Sequence, residues 1–281
     1  MTNIIKFGQG NAKLSVSIGT FSLPAGHSCP FAKECKSQTD ALTGKVIDGE
    51  HCRFRCFAAT SEARATNVRK QRWHNFNILK SARKVEKMGG IIQHSLPKGL
   101  DKIRVHVSGD FFTEQYFLAW VNVAMNNPLN TFYGYTKATP FLVKYKKYLP
   151  NNFRFTASRG GTHDHLIDKY GLVSAEVVFS VEEAHAKGLE IDHDDSHAIR
   201  YDKSFALLIH GTQPPGSEAS KAWVKIMQSG IGGYNGNSNF RKSDDTRPLS
   251  VYITLKNGKV YLPTRVSRVK KSVKLQKIAY A

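Results

Sequence analysis

The sequence predicts an α/β fold: a partial (β/α)6, TIM-like barrel with an N-terminal four-cysteine loop and a C-terminal β-hairpin. Three observations carry that expectation. Short apolar strands alternate with stretches of helix length. Each strand runs into polar residues at its C-terminal end, where such folds gather function. All four cysteines of the 281-residue chain, Cys29, Cys35, Cys52 and Cys56, lie in one segment after the first strand and before the first helix. The six visible strands fit an open partial barrel, and a doubly wound sheet fits the same alternation. A full (β/α)8 barrel needs two more.

In chain order, the first β-like run is 14–21, followed by the cysteine loop at 27–57. A long helix is expected over about 60–88, capped by Thr60 or Ser61, with Glu62 in its first turn and Gly89-Gly90 ending it. Further strands are expected at 103–107, 131–135, 153–157, 176–180 and 205–210. Helices fit between them at 114–126, 140–148 and 165–170, and Ser217 can cap another after Pro214-Pro215-Gly216. The run 229–239 is rich in glycine and asparagine and reads as a loop. Residues 251–262 alternate around Asn257-Gly258, a preferred hairpin turn. The chain thus divides into a barrel-like domain, 1–239, and a basic hairpin and tail, 240–281.

Composition narrows the partners. The formal net charge is +19, a field that attracts polyanions, nucleic acid above all. The charge is uneven: residues 1–100 hold 16 Lys+Arg against 6 Asp+Glu, residues 101–200 hold 11 against 12, and residues 201–281 hold 14 against 4. The expected helix over 60–88 carries Arg64, Arg69, Lys70, Arg72, Lys80, Arg83, Lys84 and Lys87, a face that either is solvated or contacts phosphate. No apolar run reaches the roughly 18 residues of a membrane span, and the N-terminus has no signal-peptide core. A cytoplasmic protein without a membrane partner is expected.

The cysteines read as ligands for an iron–sulfur cluster or, alternatively, zinc; unrelated buried thiols and disulfides are the duller alternatives. Their spacing, C-x5-C, sixteen residues, then C-x3-C, matches neither a paired zinc knuckle nor a standard cluster motif. The strand ends supply the other candidates: Ser108-Gly109-Asp110, Thr136-Lys137, Ser158-Arg159 and His210-Gly211-Thr212-Gln213. Asp110 and His210 are the catalytic candidates. Ser108, Gly109, Asp110, Lys137, Ser158 and Arg159 are the cofactor-binding candidates. His163-Asp164-His165 and Asp192-His193-Asp194-Asp195-Ser196-His197 offer metal ligands, acid–base groups or simply solvated loops.

Asn11-Ala-Lys-Leu14, Thr20-Phe-Ser-Leu-Pro-Ala-Gly26, Ser28-Cys-Pro-Phe31, Phe54-Arg-Cys-Phe-Ala58, Val107-Ser-Gly-Asp-Phe-Phe112, Tyr135-Thr-Lys137, His163-Asp-His-Leu166, His193-Asp-Asp-Ser-His197 and His210-Gly-Thr-Gln213 together resemble the bacteriophage gene-product-88 family. The resemblance covers about 9–235 and implies a phage or mobile-element origin without a settled activity. More loosely, the cysteine loop after strand one resembles that of radical S-adenosylmethionine partial barrels. In those, Ser108-Gly109-Asp110 would stand where the methionine amine is held. Their C-x3-C-x2-C is absent here, because Ala59 stands where the third cysteine belongs. The expectation is therefore an enzyme modifying nucleic acid by radical chemistry, with S-adenosylmethionine as an implied cofactor. A zinc-containing barrel similar to the tRNA-guanine transglycosylases, with Asp110 as nucleophile, is one alternative. A non-catalytic nucleic-acid-binding protein is the other.

Overall fold

The computed structural model describes residues 4–229 and two strand segments, 253–254 and 260–261. The chain forms two compact units, Met1–Ser243 and Asp244–Ala281. In the first, the elements run β1 (Gly8–Gln9), β2 (Ile18–Ser22), β3 (Ser37–Thr39), β4 (Val46–Asp48), α1 (Phe57–Arg64), α2 (Thr66–Ala82), α3 (Val85–Ser95), β5 (Lys102–Ser108), α4 (Glu114–Asn126), β6 (Thr131–Thr136), α5 (Thr139–Tyr145), β7 (Phe153–Ser158), α6 (His165–Tyr170), β8 (Ser174–Val178), α7 (Val181–Ala186), β9 (Glu190–Ile191), α8 (Ser196–Arg200), β10 (Phe205–Leu208) and α9 (Glu218–Gln228). The second unit contains β11 (Ile253–Thr254) paired antiparallel with β12 (Val260–Tyr261). The Asn257-Gly258 turn, the 230–239 stretch and the basic tail lie outside the described residues.

Eight strands form one sheet in the order β1-β2-β5-β6-β7-β8-β10-β9. Only the β1–β2 pair is antiparallel. From β2 to β8 each new strand is laid beside the last in chain order, without the reversal of a doubly wound sheet. Side chains alternate between the two faces. Ile103 and Val105 of β5, Phe132 of β6, and Phe153 and Phe155 of β7 pack with Leu79, Met88, Ile92, Phe117 and Trp120 of α2–α4. Tyr133, Ala175 and Phe205 point the other way and pack with Leu14, Ile18, Ala198 and Ile199. That second face is therefore covered by the 11–17 loop and by α8, which crosses β6 and β7.

The single helix expected over 60–88 is three helices. Ala65 is extended between α1 and α2, and Arg83 takes a left-handed φ of 58° before α3. Gly89 and Gly90 sit inside α3, which packs against α4, rather than ending a helix. Thr60 and Ser61 lie within α1, not at its cap, and donate to the carbonyls of Phe57 and Ala58. The α4 and α6 ranges and the Ser217 cap, which accepts from the Ser220 amide, match expectation.

Strand β5 bulges. Thr20 pairs with Arg104 and Ser22 with Ser108, so β5 spends two more residues than β2 over the same length. His106 absorbs the excess at φ 62° and turns into the helix-side core, against Phe111 and Tyr116. The bulge delivers Ser108-Gly109-Asp110 to the strand end.

Candidate functional site at the strand ends

The cysteine loop spans the C-terminal rim of the sheet. At one side, Thr162 donates its amide to the Phe31 carbonyl (2.9 Å), and the amides of Lys33 and Glu34 donate to Gly160. At the other, the Arg55 amide donates to Gln213 Oε1 (2.7 Å) and Gln213 Nε2 donates back to the Arg55 carbonyl (3.2 Å). The β3–β4 hairpin lies within the loop. Gly109 lets β5 end beneath it: its φ is 85°, and a Cβ there would lie 2.5 Å from Ser28 Oγ and 2.6 Å from Leu23 Cβ.

All four thiols are free and partly buried. Burial pushes Cys29 well up, reinforced by Asp110, Cys56 and Cys35. Burial and then Cys35 push Cys56 up to about 12. Cys52 is raised by burial and donates to the Phe54 carbonyl (3.0 Å). Cys35 thus lies within electrostatic reach of the other three. Such a donor set suits a thiophilic cation, which would reverse the cost of deprotonation. As placed, however, the thiols do not close a cage: among the described residues no three His, Cys, Asp or Glu side chains stand in a metal-binding group.

The strand-end polar residues are brought together, but mainly to bond one another. Asp110 is buried and accepts from its neighbour's amide at Phe111 (2.7 Å), from Thr136 Oγ1 (2.5 Å) and from the Lys137 amide (2.7 Å). Burial raises its carboxyl, opposed by those bonds and by Lys137. Lys137 in turn donates to Ser158 Oγ (2.8 Å) and to the carbonyls of Ser158 and Arg159. Asp110 therefore ties β5 to β6, and Lys137 ties β6 to β7. Arg159 is held by Asp168. Ser108 Oγ donates to Glu62 (3.3 Å). His210 stacks on Phe57 at 3.6 Å between centroids; burial, then the Lys13 charge, lower it to about 3.

Of the two histidine–acid clusters, Asp164 accepts from the amides of Gly160 and Gly161 and shapes its own loop. The other is built deep into the sheet. Asp192 accepts from His197 Nδ1 (3.1 Å), from the Asp195 amide (3.0 Å) and from Tyr135 Oη (3.3 Å). Asp195 accepts from Tyr135 Oη (3.0 Å), pairs with Lys13 Nζ (2.7 Å) and is bonded by Arg104. Burial alone would raise both carboxyls, but Lys13 with His197 at Asp192, and Arg104 with Lys13 at Asp195, hold them below the usual range.

The Gene product 88 family model matches residues 4–226. The chain belongs to the gene product 88 family. No curated protein and no solved structure matches it. In this gene product 88 chain, two features escaped the sequence reading. One is the Glu62–Arg72 pair (2.8 Å), fully inside the protein, where Glu62 also accepts from the Ala25 amide. The other is the Lys13–Arg104–Tyr135 cluster that receives Asp192 and Asp195. Its signal was present: Arg104 is a charge in the middle of an apolar strand. Within the basic run of α2, Arg69 and Arg72 are also buried, bonded to Ala41, Glu62 and Ala58, so neither is available to phosphate; Lys70, Lys80, Arg83, Lys84 and Lys87 remain exposed.

Proposed function

We propose that this gene product 88 protein acts on nucleic acid and that Cys29, Cys35, Cys52 and Cys56 hold a thiophilic metal ion or an iron–sulfur cluster over the ends of a partial barrel. The observation that carries the reading is that all four thiols lie in one loop tied across the strand ends, where the charge of Cys35 raises the other three. A cluster would supply one-electron chemistry; zinc would fix the loop. Asp110 and Lys137 act here as positioning residues that set the relative height of β5, β6 and β7. A radical S-adenosylmethionine reaction, or a transglycosylase-type attack, would use the acceptor position of Asp110 Oδ2 that its three donors leave open.

The net charge of +19 supports the nucleic-acid partner. Anaerobic purification, with iron, zinc and sulfide analysis and a visible spectrum, tests the centre. A bound metal lost in Cys35→Ser is expected. A native protein free of iron and zinc ends the metal reading, and stoichiometric zinc without iron absorption ends its radical form.

One observation favours a second reading, a non-catalytic nucleic-acid-binding protein with a zinc-folded loop. Asp110, Lys137 and Arg159 all spend their charges on protein partners. Under that reading, Asp110→Asn leaves every nucleic-acid assay unchanged.

A further inference from the structure

Residues 192–201, which include α8, lie across the sheet face opposite α2–α4. Asp192 and Asp195, both buried, occupy the cations Lys13 and Arg104 and the hydroxyl of Tyr135. The register of β5, β6 and β7 sets Arg104 beside Tyr133, and Tyr135 beside Thr156. Beneath the two carboxylates therefore stand two cations, three hydroxyls and two aromatic rings. That combination suits a phosphate ester carried on a stacking base.

The segment does not satisfy this face completely. Tyr133 Oη, Thr156 Oγ1 and Arg104 Nε are buried without a hydrogen-bond partner among the described residues, and Tyr133 and Thr156 are wholly enclosed. The backbone is left-handed where α8 begins and where it ends, at Asp195 (φ 65°) and Tyr201 (φ 59°). That conformation is uncommon for a residue with a bulky side chain such as Tyr201. Ala198 and Ile199, packed on Leu14, Ile18 and Phe205, provide the seating.

We propose that residues 192–201 are a displaceable plug whose Asp192 and Asp195 carboxylates stand in for the phosphate of a nucleotide, covering a binding face made by Lys13, Arg104, Tyr133, Tyr135 and Thr156. The proposal goes beyond the function proposed above and requires neither thiol nor metal, so either can fail alone. The same phosphate chemistry can come from a free nucleotide or from a nucleotide unit of a strand.

Hydrogen exchange read by mass spectrometry on the full chain, with and without adenosine 5′-monophosphate, tests it. Without nucleotide, 192–201 exchanges faster than β6 and β7. With nucleotide, 192–201 exchanges faster still, while β5–β7 slow. Asp195→Asn tightens mononucleotide binding about tenfold or more by weakening the competitor, and adding Arg104→Gln removes the gain. Competition by a short single-stranded oligonucleotide assigns the site to nucleic acid; competition by mononucleotide alone assigns it to free nucleotide. Exchange of 192–201 only together with β6 and β7, unchanged by nucleotide, overturns the plug. So does a folded Asp195→Asn with unaltered affinity. If that variant does not fold, the wild-type exchange decides.

Discussion

His106 shows how one residue links backbone, packing and titration. It sits at a bulge with a left-handed φ, donates to or accepts from Tyr116 Oη at 3.0 Å, and is enclosed by aromatic rings. Burial, reinforced by Arg104, lowers its value to about 3. The folded chain therefore refuses a proton that the unfolded chain accepts below about pH 6.5. Stability should fall as pH drops from about 6.5 toward 5, with His106 contributing about 1.4 kcal/mol per pH unit. Urea unfolding at stepped pH checks this, and His106→Gln should remove that share of the slope. His193 and His210, also lowered by burial, leave a remainder. A histidine within an apolar strand was readable in the sequence. Its backbone conformation was not, because the extra residues of a bulge show only once the neighbouring strand is in register.

Helix α1 shows the same at the scale of an element. The sequence places Glu62 in the first turn of one helix over about 60–88. In the fold Glu62 is fully buried, and it ties α1 to the end of β2 through Ala25, to the end of β5 through Ser108 and to α2 through Arg72. Glu62 Oε2 and Arg72 Nε lack partners among the described residues, so the pair is imperfectly compensated. Removing one member strands the other charge. Arg72→Met should cost about 3–5 kcal/mol, and Glu62→Leu a similar amount, whereas the double variant should cost well under the sum. A denaturation double-mutant cycle measures it. The strands and α4 were legible because their periodicity is local. The burial of Arg69 and Arg72 was not, since Arg69 depends on the cysteine loop meeting α2 through the carbonyls of Ala41 and Leu42, and Arg72 on the turn of α1 against α2.

For the whole molecule, the alternation of strands and helices gave the parallel sheet, and the strand order β2-β5-β6-β7-β8-β10 sets aside the doubly wound alternative that the same alternation allowed. The cysteine loop was legible as a loop, but its two anchorages were not, since Thr162 and Gln213 carry no sign of their partners. Charge remained a property of the chain as a whole. The tail residues Lys270, Lys271, Lys274 and Lys277 are basic without acidic neighbours. Replacing all four by Gln should weaken binding to single strands uniformly across sequences. It should also flatten the log–log salt slope by about 0.7 for each phosphate that the tail no longer neutralises. A titration series in salt reads both, and an unchanged slope removes the tail from the interface. The bonds that seat the cysteine loop also impose an order in time. Arg55 must wait for Gln213, 158 positions later. At ribosomal speeds of about 5–20 residues per second, that anchorage can close no sooner than about 8–30 s after Arg55 is made, so the loop's tie at Thr162 can form first.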